Sequence, residues 1–201
     1  MNGKAQKKGS KSTLFIIIGA IALIGVLALI AINAMGSQSS GSGSTQAAAT
    51  FSFTNKGTPD GTRWKDNIDT VQDALGGEII GDSEALYLED VENVENVGEE
   101  ADVICSFDGG LYDVAVKYDA DDQNEYDQLL SSFESRFGTS EDYTFETDNG
   151  WSETITSDGG DSITVDLSGS AAKCWDLGNA AVFLTRDSSD NNIVIMSTRF
   201  D

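Results

Sequence analysis

The sequence predicts an α+β protein: an N-terminal transmembrane helix, then one extracytoplasmic domain of two helix-then-antiparallel-strands units. Three observations carry this. Residues 14–32 run for nineteen positions without a polar side chain. Beyond them, two stretches place apolar residues at helical spacing. Each of those is followed by short runs alternating apolar and polar residues, punctuated by Gly and Asp-Gly turns.

The elements follow in chain order. Residues 1–12 carry Lys4, Lys7, Lys8 and Lys11 and no acid. At 1.5 Å per residue the nineteen-residue apolar run makes a helix of ~30 Å, the thickness of a bilayer's hydrocarbon core. A core helix of a water-soluble domain would keep a polar stripe, and this run has none. Residues 13–35 are therefore expected to span the membrane. No basic residue follows until Lys56, so the positive-inside rule puts the N-terminus in the cytoplasm and the rest outside. A cleaved signal peptide is the competing reading, with Ala34-Met35-Gly36 as its exit, although the apolar run is long for one. Residues 36–50, GSQSSGSGSTQAAAT, form a Gly/Ser-rich tether with an r.m.s. span of ~20–23 Å. Residues 51–201 are the right size for one domain with its own core.

Within that domain a first helix is expected to begin near Asp66, with Ile68, Val71, Ala74 and Leu75 on one face and Gly76 as its stop. A second runs over 123–137, where Tyr126, Leu129, Leu130, Phe133 and Phe137 make one apolar stripe and Gly138 ends it. Strands are expected after the first helix at 84–91, 101–107 and 111–119, the last two joined by the turn Asp108-Gly109-Gly110. After the second helix they are expected at 143–147, 151–157, 161–168, 180–187 and 192–200. Val103, Cys105 and Phe107, and likewise Tyr112, Val114, Val116 and Tyr118, alternate with polar or smaller neighbours, which reads as strands with one face buried.

The helix motif W-x-D-x-x-x-x-V-x-x-x-L-G, here Trp64, Asp66, Val71, Leu75 and Gly76, followed by meandering strands, resembles small bacterial envelope domains. These are the repeats of the β-lactamase-inhibitor-protein type and of small outer-membrane assembly lipoproteins. The resemblance implies binding of proteins or wall-associated partners and no catalysis. The chain differs from the lipoproteins in having no cysteine near the membrane segment and an apolar helix in its place.

Composition excludes several chemistries. With no histidine, Ser-His-Asp and Cys-His nucleophilic systems and histidine metal ligation are ruled out. All 34 acids follow residue 55, against eight basic residues, a formal −26. That field repels nucleic acid, whose binding rests on Lys and Arg neutralising phosphate. No phosphate-binding Gly loop stands between a strand and a helix, and no cofactor is expected. The acidic run from Asp119 is a weak calcium candidate through Asp119, Asp121 and Asp122. Counted as an EF-hand it places Asn124 where Gly belongs and Leu130 where Glu belongs. The same run reads as a helix start, with Asp122 at the N-cap and Glu125 at N3. Cys105 and Cys174 are a candidate disulfide in a compartment that permits one.

The sequence therefore predicts a single-pass, membrane-anchored binding or interaction module. It would touch the bilayer through residues 13–35 and an envelope protein or wall component through its outer domain. Two alternatives stand beside it. One is a pilin-like subunit processed after Lys7-Lys8-Gly9. The other is a wall hydrolase with two carboxylates in one pocket beside an exposed tryptophan, drawn from Trp64, Trp151 and Trp175.

Overall fold

The computed structural model describes residues 51–200 apart from 82–83, 149, 158–159 and 161. The basic segment 1–12, the expected transmembrane helix 13–35 and the tether 36–50 lie outside the described residues. Among the described residues no helix is long and apolar enough to cross a membrane.

The domain is mostly antiparallel sheet with two helices, an α+β architecture. Helix α1 (Ile68–Leu75) precedes strands β1 (Glu78–Ile80), β2 (Ala85–Val91), β3 (Ala101–Phe107) and β4 (Leu111–Tyr118). Helix α2 (Gln123–Phe137) precedes β5 (Glu141–Thr144), β6 (Ser152–Thr156), β7 (Ser162–Asp166), β8 (Ala171–Asp176), β9 (Ala180–Arg186) and β10 (Ile193–Arg199). Eight strands form one sheet in the order β1-β2-β3-β4-β10-β9-β8-β5, and β6 and β7 pair separately as a hairpin. The last strand before α2 thus meets the last strand of the chain at the sheet's centre, where Ile195 pairs with Val116.

Both helices begin and end where their sequence requires. Asn67 caps α1, its side chain accepting from the Thr70 amide, and Gly76 closes it in the left-handed region at φ 79°. Asp66, the expected start, instead accepts from the Arg63 amide in the preceding turn. Asp122 caps α2, and its carboxylate accepts from the amides of Asn124 and Glu125. The stripe of α2 buries Leu129 and Phe133 completely, each worth about 1.5–3 kcal/mol.

The sheet separates two cores. One lies under the helices and contains Leu86, Val103, Cys105, Val114, Val116, Tyr118, Trp175, Val182, Leu184, Ile193 and Ile195, together with Val71, Leu129 and Phe133. The other lies under the β6–β7 hairpin, where Ile155, Ile163, Val165 and Leu167 pack on Tyr87, Ile104, Ala115, Phe183, Val194 and Met196. The expectation of one buried face is therefore corrected: β4 and β10 are covered on both. A hairpin that folds back over its own sheet leaves no mark on the alternation of the strands beneath it. β1 and β8 were not anticipated. β1 is three residues long, and β8 opens on two alanines, which carry little hydrophobic signal. β5 starts two residues earlier than expected and pairs with β8 through Glu141–Cys174.

Two devices lock the segment before α1 onto the domain. The Lys65 amide donates to the Leu111 carbonyl and the Leu111 amide to that of Asp66. Gly110, at φ 125°, leaves room for this, because a Cβ there would overlap the Lys65 backbone. Further along, Glu95 is buried with φ 52°. Its carboxylate accepts from Arg136 through both oxygens, at 2.8 and 2.5 Å, and from the Phe53 amide at 2.6 Å.

Candidate functional site

Around the β9–β10 loop the chain builds two clefts. The larger, about 730 Å³, lies between the start of α2, residues 168–171 and residues 186–191. The smaller, about 380 Å³, is lined by Tyr87, Glu89, Asp102, Lys117 and Asp190 among others. Asp187 stands between them, and its side chain is fully buried. Its Oδ2 accepts from Lys117 Nζ at 3.1 Å and the Asp166 amide at 2.8 Å. Its Oδ1 accepts from the Ser189 amide and hydroxyl. Burial alone would raise this carboxyl, but the Ser189 hydroxyl, the two amides and the lysine outweigh it and hold it below the usual range.

Lys117 is equally committed. Its ammonium reaches Asp187, Asp190 at 2.7 Å and the Thr164 carbonyl at 2.7 Å, which uses all three of its hydrogens. A Ser189 hydroxyl that donates to Asp187, beside a lysine with no free lone pair, is not an activated nucleophile. The knot ties β4, β7 and the β9–β10 loop together and shapes the clefts on either side. The smaller cleft presents Glu89, Asp102 and Asp190, a wall suited to positively charged groups. Burial pushes Asp102 up, while Tyr87, whose hydroxyl donates to it at 3.0 Å, and the Asp90 amide pull it down.

A second polar cluster lies under the hairpin. Ser106 on β3, Asp113 on β4 and Thr198 on β10 are register partners in one row across the sheet. Glu153 on β6 comes down onto this row and accepts from the Ser106 hydroxyl at 2.9 Å. Burial pushes Asp113 up to about 6 against its hydrogen bonds to Thr198 and Trp151, and it raises Glu153 as well. Here a buried acid, Asp113, and a half-buried one, Glu153, stand near Trp151. None of these residues lines either of the two clefts described above. The tryptophans form no shared platform: Trp64 and Trp175 belong to the helix-side core and Trp151 to the hairpin side.

The calcium candidates are dispersed in their tasks. Asp122 spends its carboxylate on the α2 amides, and the Asp121 carbonyl accepts from the Arg186 guanidinium at 3.0 Å, which brings a positive charge to the loop. No group of three or more His, Cys, Asp or Glu able to hold a metal ion occurs among the described residues. Glu125 sits at N3 but faces Glu99, and burial followed by the charges of Glu99 and Asp122 raises it.

The disulfide expectation is corrected. Cys105 and Cys174 are both free and buried. Cys105 faces the helix-side core from β3 and Cys174 the hairpin side from β8. Four strand spacings separate them, roughly 19 Å, whereas a disulfide needs Cα atoms within about 7 Å.

Sequence reasoning missed Lys117, Asp187, Asp113 and Glu153. The available signal was a lone charge inside an apolar run, Asp113 and Lys117 in LYDVAVKY. Such a charge on a strand covered on both faces must be paired or neutralised. Compared with family models, curated proteins and solved structures, the chain matches none.

Proposed function

We propose that this protein is a single-pass, membrane-anchored extracytoplasmic interaction module. Its acidic domain, held off the bilayer by the Gly/Ser tether, engages an envelope protein or wall component that carries basic groups. The observation that carries the reading is the order of the chain: four lysines, nineteen apolar residues, a flexible tether, then a domain of formal charge −26. Supporting it, the Lys117–Asp187 knot is saturated by its own hydrogen bonds, and Glu89, Asp102 and Asp190 line an open cleft beside it.

The domain is, in this reading, two helix-then-strands units set side by side, similar to the envelope domains named above. What favours this is that β4 and β10, the final strands of the two halves, meet at the centre, while β1 and β5, the first strands, form the edges.

The test is affinity capture with the tagged full chain from detergent extracts, at low and high salt. A discrete envelope partner, released by salt and lost when Glu89, Asp102 and Asp190 are replaced by their amides, is the expected outcome. Capture of nothing across the salt series overturns the reading. Protease treatment of intact cells that leaves residues 51–200 untouched overturns the orientation.

A further inference from the structure

The β6–β7 hairpin is fastened to the sheet by two unlike polar contacts. On the β7 side the fastening is complete: Lys117 Nζ donates to the Thr164 carbonyl, the Asp166 amide donates to Asp187 and the Ser188 amide donates to the Asp166 carbonyl. On the β6 side it is incomplete. Ser106 has one hydroxyl hydrogen and gives it to Glu153. Asp113, in register beside Ser106, is about nine-tenths buried, and its Oδ1 has no hydrogen-bond partner. Two carboxyl groups therefore face one cluster of neutral donors: Ser106, Thr198 and Trp151.

The charged and titratable groups around them do not supply the missing hydrogen. Arg199 on β10 lies over the Tyr112 ring at 5.3 Å, on the helix side of the sheet, and its charge ranks last among the influences on Asp113. Cys105 on β3 is a buried thiol whose sulfur belongs to the helix-side core. β7 brings only Val165 opposite Glu153. A buried negative charge on Asp113 next to a half-buried one on Glu153, without a facing cation, is costly, and one bound proton removes half of that charge.

We propose that the hairpin is a proton-linked flap: the Asp113–Glu153 pair carries a proton while β6 is seated, and loss of that proton loosens the hairpin from the sheet. Loosening uncovers Tyr87, Ile104, Phe183 and Met196, the apolar sheet face it now covers. The sign follows from linkage. A carboxyl raised on burial keeps its proton in the seated form and gives it up in the open form, so seating is favoured in mild acid and weakened as pH rises through about 6.

The experiment is amide hydrogen exchange on the full chain in detergent micelles at pH 5 and pH 8, corrected for the intrinsic rate. Protection over residues 152–156 and 162–166 should fall about tenfold from pH 5 to pH 8, the factor for one unit of linkage, while residues 180–199 change little. Asp113→Asn should remove that dependence and keep the hairpin protected at pH 8. Should that variant not fold, Glu153→Gln, which leaves Asp113 buried but without its charged neighbour, should weaken the dependence without abolishing it. Equal protection of the hairpin at the two pH values in the unaltered chain overturns the proposal. So does a dependence that persists unchanged in the folded variant, or one shared equally by residues 180–199.

Discussion

Glu95 shows how one residue holds a whole segment. It adopts φ 52° without being glycine, a conformation that costs of order 1 kcal/mol and persists only where the surroundings impose it. Here they are the bidentate Arg136 and the Phe53 amide. Replacing Glu95 by Gln strips the charge from a buried pair and leaves the guanidinium poorly matched. We expect a loss of about 3 kcal/mol in urea unfolding, with Phe51 and Phe53 becoming accessible to limited proteolysis before the sheet does. Lys117→Met tests the other knot. It leaves Asp187 buried beside Asp190 without its cation, and a loss of about 3 kcal/mol is expected from the same measurement. The double change Lys117→Met with Asp187→Leu should recover much of that loss, because the uncompensated charge goes with it.

Elements in this domain take their boundaries from local chemistry and their burial from distant partners. The cap of α2 is local: Asp122→Ala should cost about 1 kcal/mol and leave the domain's response to millimolar calcium unchanged in titration calorimetry. Heat on adding calcium that Asp122→Ala abolishes would reverse the assignment of this loop. The α2 stripe is also local, and its spacing was legible. The bounds of α2 match the expected 123–137, and Leu129 and Phe133 point to the core as the spacing predicts. Phe133 meets Trp175 edge-on with centroids 5.4 Å apart, so Phe133→Ala should destabilise by about 3–5 kcal/mol. The β6–β7 hairpin is different. Its own alternation was legible, with Ile155, Ile163 and Val165 turned inward and Thr154, Thr156, Ser162 and Thr164 turned out. Its destination was not, because nothing in the eight residues of β4 says that their second face will be roofed by β6 and β7.

At the scale of the whole molecule, the chain beyond residue 55 gathers 34 acids against eight basic residues. Most are solvated and repel one another, so added salt should stabilise the fold. Raising sodium chloride from 10 to 500 mM should lift the calorimetric midpoint by about 2–4 °C for each kcal/mol of relieved repulsion. The cysteines give a second global test. Both are buried on opposite faces of the sheet, and burial raises each thiol to about 12. A thiol reagent should find no reactive group in the native domain and two after unfolding, and reductant should leave stability unchanged. The sequence by itself determined the α+β class, both helices and most of the strands of residues 51–200, because these follow from periodicities and caps spanning a dozen residues or fewer. Only the tertiary structure decided which strands are covered on both faces, that Cys105 and Cys174 are strangers, and that Asp113 meets Glu153 while Lys117 meets Asp187. Those pairings join residues 40 and 70 positions apart, and they depend on strand order and on the facing of a folded-back hairpin. No local pattern encodes either.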